Sequence, residues 1–263
     1  EDVVVVGYGT QKKVSLTSSV SQIKGADLVR RPVSNLQQAL QGQAPGLTVL
    51  DRGGEPGRSA ATLRIRGITT FSGNSSGNSS PLIIVDGVEQ TLFTLNPEDV
   101  ESISILKDAS STAIYGSRGA NGVVQITTKS GKAGVSRVTY ESTYTNQIIQ
   151  RKLNLMNGVQ MIDFIKKYYT NSNLVLPAEV TNATNAETDW QDQVLRAALQ
   201  QNHTLSFSGG NDKTQYYVSG NYLDQPGIIK GSDFNRGSMR FNLTSQLNSR
   251  ISLRTYMTAS RTV

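Results

Sequence analysis

Two kinds of hydrophobic patterning divide the chain. From residue 18 to about 129, short apolar runs alternate with breaks rich in Gly, Pro, Asn and Ser, which is the pattern of short strands and short helices packed together. The runs predict strands over 19–23, 47–50, 62–66, 82–86, 102–106 and 123–128, and helices over 35–41 and 109–115. After Gly134 the period becomes two. Val138, Tyr140 and Tyr144 alternate with Arg137, Thr139, Glu141 and Thr143, and Leu205 and Phe207 alternate with Thr204, Ser206 and Ser208. Tyr216, Val218 and Tyr222 oppose Gln215, Ser219 and Asn221; Met239, Phe241, Leu243 and Leu247 oppose Arg240, Asn242, Thr244 and Gln246; Ile251, Leu253 and Met257 oppose Ser252, Arg254 and Thr258. A strand sends successive side chains to opposite faces, so this part reads as about five strands with one apolar and one polar face.

The connections between these strands are unequal. Tight turns are expected at 209–213 and 248–250, and long connections at 147–201 and 224–235, so short and long ends alternate. A transmembrane β-barrel has this asymmetry, with short periplasmic turns, long outer loops and strands of about ten residues facing lipid and lumen in turn. A soluble sandwich also alternates apolar and polar residues, but nothing in its architecture gathers the long connections at one end. Within 147–201 two amphipathic helices are expected. One is capped by Asn157 and carries Met161, Ile165 and Tyr168 on a face; the other begins at Thr188 and carries Trp190, Val194 and Ala198. Both faces are expected to form a local core. The opening EDVVVVGYGTQKK reads as one extended strand with a flexible exit, and 72–80 (SGNSSGNSS) as a projecting low-complexity loop.

Composition narrows the function classes. Hydrophobic residues make up 37% of the 263 and charged residues 17%, with an abundance of neutral polar residues that suits strands with one wet face. The net charge of +6 comes from 26 basic residues scattered along the chain without a basic stretch, which argues against nucleic acid. With no cysteine there is neither a disulfide framework nor a thiolate zinc site. No apolar run approaches the ~18 to 20 residues of a membrane helix, so any membrane contact must come from a barrel. The chain starts without methionine or a signal peptide and is expected to be a mature or trimmed segment with its export signal upstream.

Catalytic signatures fail on context. Val3 to Gly9 imitates the start of a dinucleotide fold, but Lys12 stands where a third glycine belongs and no helical pattern follows. There is no nucleophile elbow and no Walker loop, and His203 is the sole histidine. Neither an enzyme, a cofactor nor a metal site is expected.

Nine segments, in order and nearly end to end, carry a resemblance. They are EDVVVVGYGTQKK, RRPVSNLQQALQGQAPGLTV, GEPG, LRIRG, PLIIVDG, LNPEDVESISILKDASSTAIYGSRGANGVVQITTKSGK, TDW, SFSGG and YLDQPGII. In these the chain resembles the SusC/RagA family of TonB-dependent outer-membrane transporters. The resemblance implies an α+β plug domain followed by the first antiparallel strands, about five, of a transmembrane β-barrel of about 22. It divides the chain into a TonB box and linker (1–13), the plug (14–132) and barrel strands with a long extracellular loop (133–263, the loop at about 147–201).

By the same resemblance, Asp2, Val3, Val4, Val5 and Val6 form the TonB box, the periplasmic strand that TonB grasps; an ordinary first strand of the plug is the competing reading. Strand addition suits four valines, because it binds mainly through main-chain hydrogen bonds. The loops at the plug top, 51–58, 69–80 and 88–95, would meet cargo, with Arg52, Glu55, Arg58, Asn74, Asn78, Glu89 and Gln90 as polar candidates suited to an oligosaccharide or a peptide. Arg66 and Lys107 look like plug cations that lock onto barrel-wall carboxylates, or else form salt bridges within the plug. Implied partners are TonB with its inner-membrane energising complex, a SusD-like surface lipoprotein acting as a lid, the cargo, and outer-membrane lipid. A passive porin or adhesin is the alternative, and it would have no use for a TonB box.

Overall fold

The computed structural model describes residues 3–6, 9–12, 20–31, 33, 35–51, 55–57, 61–67, 80–134, 136–181 and 188–263, with the backbone alone for 3–6 and 9–12. At the start, β1 (Val3–Val6) and β2 (Gly9–Lys12) pair antiparallel, Val3 opposite Lys12 and Val6 opposite Gly9. The opening is therefore two paired strands, where the sequence predicts one strand and a flexible exit. Thr10 and Gln11 are polar, but their main-chain donors and acceptors complete a ladder as well as those of valine, and hydrophobicity does not register them.

The plug follows as β3 (Val20–Lys24), α1 (Gly25–Val29), α2 (Leu36–Ala39), β4 (Leu47–Leu50), β5 (Thr62–Ile65), β6 (Leu82–Val85), β7 (Val88–Glu89), β8 (Val100–Leu106), α3 (Ala109–Thr112) and β9 (Val123–Thr128). Five of these strands form one sheet in the order β3-β8-β9-β6-β7, parallel only between β6 and β9, and β4 and β5 form a separate hairpin. Leu28, Leu36, Leu40, Ile65, Val85, Leu92, Ile103, Ile105 and Ile126 build the core between sheet, helices and hairpin. Gly25 is required where α1 crosses β8, since a Cβ there would sit 2.0 Å from the Val100 carbonyl oxygen.

The helices are shorter than their patterns predict. Asn35 caps α2, its side chain accepting from the Gln38 amide at 2.8 Å. After Thr112 the chain tightens into 3-10 turns over Ala113–Gly119, with Gly116 at φ 60° breaking their path. Ser110, Ser111 and Thr112 are poor α-helix formers, which explains the early end of α3.

Five long strands form the wall: β10 (Arg137–Gln147), β11 (Ala198–Gly210), β12 (Thr214–Pro226), β13 (Asp233–Gln246) and β14 (Ser252–Thr262). They lie side by side in chain order, every neighbour antiparallel, as an open sheet. The ladder continues through polar Gln225 and Asn235, so the long connection expected at 224–235 contracts to 227–232.

The insertion between β10 and β11 contains α4 (Gly158–Asn171), α5 (Ala178–Thr181) and α6 (Trp190–Val194). A reciprocal capping box of Asn157 and Gln160 opens α4, and Asp189 caps α6. Among the described residues the expected local core is not formed: Met161, Tyr168 and Trp190 are exposed and α4 has no buried residue, while Ala198, expected on the second helix, is buried as the first residue of β11 because α6 ends at Val194. A helical period tells which side chains share a face, and it is silent on what covers that face. The far end of the insertion is pinned to the 227–232 turn. Leu195 bridges Ile229, the Arg196 amide donates to Ile228 O at 2.8 Å, and the Arg196 guanidinium donates to Gly227 O at 3.0 Å and Asp233 at 2.6 Å.

Candidate functional site

Burial across the wall is inverted relative to a soluble sheet. Ser219, Asn221, Arg236, Ser238, Arg240 and Asn242 are buried, while Val138 and Tyr140 on the other face are 65% and 62% exposed and Met239 and Met257 are similarly open. The plug covers the polar face, and among the described residues nothing covers the apolar face. An uncovered band of this kind carries a large penalty in water and none against lipid.

The covered face is held by charge and hydrogen bonds. Asp86 and Gly87 both have positive φ, 49° and 89°, which makes the tight turn between β6 and β7 and aims the Asp86 carboxylate at the wall. That carboxylate accepts from the Thr128 amide at 2.9 Å and the Thr128 hydroxyl at 2.7 Å. It is also paired with Arg240 of β13, and both side chains are almost fully enclosed. Asn242, one pleat further on, donates to Thr128 Oγ1 at 2.9 Å and Lys129 O at 2.7 Å.

A second cluster lies at residues 96–99. Asp99 Oδ1 accepts from Tyr217 OH at 2.9 Å and Ser219 Oγ at 2.6 Å, and Glu98 accepts from Asn202 Nδ2 at 2.8 Å. Arg236 donates to Phe93 O at 3.1 Å, and the rings of Phe93 and Phe234 meet at 6.1 Å. At the same end Gly57 lies so close to Phe234 that a Cβ would be 2.0 Å from the ring.

Burial pushes the Glu98 carboxyl up from its ordinary 4.5; the Thr204 hydrogen bond opposes the rise, and the nearby Glu141 and Asp99 carboxylates add to it. In this window the folded chain binds more protons than the unfolded one, so stability falls as pH rises through the raised value and the penalty disappears below about 4.5. Glu98→Gln keeps an acceptor for Asn202. It is expected to raise the melting temperature of the full-length protein at about pH 8, with the gain shrinking as pH falls towards the ordinary carboxylate range. A gain of the same size at every pH would disprove the titration argument.

The residues singled out in the sequence fall in several places. Arg66 pairs with Asp108 at 2.5 Å, both partly exposed, and Lys107 donates to Ser21 Oγ and Pro45 O, all within the plug. Burial and then the Arg66 charge lower the Lys107 pKa. Neither cation meets a wall carboxylate among the described residues; the plug–wall ion pair found there has the opposite polarity, plug Asp86 to wall Arg240. The signal for Arg240 was an arginine on the polar face in mid-strand, where a charge needs a partner.

Of the cargo-contact candidates, Arg52, Arg58, Asn74 and Asn78 lie outside the described residues, as does Asp2. Glu89 and Gln90 are brought together at one depression with Gln37, Pro81 and Phe93, and Glu89 also pairs with Arg118 at 2.9 Å. Glu55 is exposed beside Pro56 and Gly57, away from that depression. Val3–Val6 form β1 of the opening hairpin.

Comparison with known proteins adds identity to this geometry. The family model described as the TonB-dependent Receptor Plug Domain matches residues 12–123. SusC, a TonB-dependent receptor of Bacteroides thetaiotaomicron, is 37% identical over 254 residues, 92% of this chain and 24% of that protein. TonB-dependent receptor P3 of Formosa agariphila is 38% identical over 251 residues, 95% of this chain and 24% of that protein. The RagAB peptide importer in its open-open state superposes with a TM-score of 0.85 at 32% identity, over 99% of this chain and 32% of that chain.

These matches support a SusC/RagA-like TonB-dependent receptor fragment. The chain spans about a quarter of the length of these curated relatives. The siderophore receptor PirA from Pseudomonas aeruginosa, 19% identical with a TM-score of 0.56, has the same fold. In this SusC/RagA-like chain, the sheet around β8 and β9 is the plug, and β10 to β14 match the start of the barrel as an open sheet.

Proposed function

We infer that this chain is the gate and opening wall of an outer-membrane importer, in which TonB draws on inner-membrane energy to move a nutrient, a glycan or oligosaccharide or a peptide, past the plug. One observation carries the reading: the wall buries its polar face on the plug and leaves its apolar face bare. The plug lies against the polar, lumen-facing side of the wall, so passage through the barrel requires it to move. The protein acts as a transporter and not as an enzyme.

In this reading β1 is the TonB box, and Glu55, Glu89 and Gln90, together with Arg52, Arg58, Asn74 and Asn78, contact cargo. Arg66 and Lys107 answer wall carboxylates on further strands. The exposed Met161, Phe164, Tyr168 and Trp190 of the insertion support a SusD-like lipoprotein docked over that end. The test is uptake by cells expressing the full-length protein, with and without TonB. Import that stops without TonB supports the reading; import unaffected by its loss would replace it with a passive pore.

The membrane part has its own test. Phe207 lies on the bare face in register with Val138 and Val218. Phe207→Arg is expected to cost about 2–4 kcal/mol in the full-length protein unfolded from lipid vesicles, if the site is near the bilayer midplane. On a water-facing sheet the same change would stay within about 0.5 kcal/mol.

A further inference from the structure

At the outer end of the wall, one arginine of the insertion holds two places that the plug also touches. Arg196, two residues beyond α6, donates through Nε to Gly227 O at 3.0 Å and through a terminal nitrogen to Asp233 Oδ1 at 2.6 Å. Its amide donates to Ile228 O at 2.8 Å, and the Lys230 amide donates back to Val194 O at 2.9 Å. A planar guanidinium fixes the direction of each bond it makes, so Gly227 and Asp233 are held in one arrangement relative to the insertion.

The plug top rests on the same two places. Asp233 and Phe234 are successive residues of β13, the first exposed and the second buried, so a grip on the outward residue also sets the inward ring. Gly57 meets that ring at backbone distance, and a Cβ at Gly227 would come 2.9 Å from Pro56 Cγ. Phe93, in the neighbouring plug segment, reaches the same ring at 6.1 Å, and its carbonyl accepts from Arg236, two residues along the buried face. Close-packed contacts of this kind have no slack: a shift of the ring either overlaps its neighbours or opens a void, so both plug segments must follow it.

The insertion is braced so that a push on it arrives at Arg196. The Gln191 side chain of α6 donates to Leu153 O at 2.8 Å and accepts from the Leu153 amide at 2.9 Å, and Lys152 pairs with Asp189 and Asp192. The two ends of the insertion are thereby fastened to each other just before Arg196, while Trp190 and Val194 of α6 stay exposed.

We propose that Arg196 and Phe234 are positioning residues for the plug-top loops. Arg196 sets the outer end of β13 and the 227–232 turn, and Phe234 hands that position to plug segments 55–57 and 92–95, so displacing the insertion shifts the loops assigned above to cargo. The relay rests on that assignment for its role in transport. Its mechanics rest on the contacts alone.

Amide hydrogen exchange of the full-length protein in detergent tests it. Arg196→Gln is expected to speed exchange about tenfold at Gly227 and Ser232, whose amides close the turn, and also at Leu95, whose amide bonds to Leu92 O in the plug. Arg196→Lys keeps the charge beside Asp233 without the fork and should loosen both places less. Phe234→Leu should loosen Leu95 and leave the turn as it is, because it cuts the relay after Arg196. Exchange in β8 and β9 should stay at the wild-type rate in all three variants. A turn that loosens while Leu95 does not, a turn unaffected by Arg196→Gln, or loosening that spreads through β8 and β9 would each overturn the relay. The readout needs neither cargo nor TonB, so its failure leaves the importer reading standing, and TonB-independent import would remove that reading while leaving the relay.

Discussion

Arg240→Met is expected to destabilise the full-length protein by about 3–5 kcal/mol, because it strands a buried carboxylate. Asp86 is held in place by the turn that presents it and by the Thr128 amide and hydroxyl, so it cannot swing out to water when its partner is lost. Both side chains of the pair are nearly completely enclosed, which leaves little solvent screening. Adding Asp86→Asn removes the orphaned charge, keeps the acceptor for Thr128 and tolerates the left-handed turn, so the double variant should recover much of the loss. Denaturant unfolding of the four proteins in detergent gives the coupling energy. Amide exchange at Leu82–Val85 and Val123–Thr128 reports whether the plug edge loosens first. A single-variant cost below about 1 kcal/mol would mean that water reaches the pair and that the seam is held elsewhere.

The parts of the fold legible in the sequence are those where burial follows a period. The plug strands at 47–50 and 123–128 and the alternating faces of the wall fall where apolar spacing puts them, since one face of each is covered or bare along its whole length. Elements made by the main chain alone are less visible. Gly9–Lys12 is polar yet pairs with Val3–Val6, and Gln225 and Asn235 prolong β12 and β13 into what polarity marks as loop. Such ladders depend on a neighbouring strand, which local sequence does not encode.

The seam between plug and wall was legible by half. The alternation places Ser219, Arg240 and Asn242 on the polar face, but their plug partners lie more than a hundred residues away at Asp99, Asp86 and Thr128. No local pattern links residues at that separation. Arg66 and Lys107 stood out because each lies in a family-like segment, LRIRG and ILKD, whereas the arginine that crosses to the plug lies in an ordinary strand.

With β1 as the proposed TonB box, energy coupling becomes a question of backbone donors. β1 and β2 pair only with each other among the described residues, so β1 keeps one edge open, and a strand from TonB can add to that edge through main-chain hydrogen bonds. Proline at position 4 removes an amide donor and fixes φ, while threonine keeps the amide, the β-branched shape and the strand preference. Val4→Pro in the full-length protein is therefore expected to reduce energised uptake to background, and Val4→Thr to leave it nearly intact. Val4 lies opposite Gln11 and far in sequence from Glu55, Glu89 and Gln90, so cargo binding to purified protein should be the same for both variants and the wild type. TonB pull-down supplies a third readout, lost with proline and kept with threonine. If uptake survives Val4→Pro, the segment is an ordinary plug strand and TonB takes hold elsewhere. If binding and uptake vanish together, position 4 supports the fold of the plug, and the coupling role assigned to β1 is wrong.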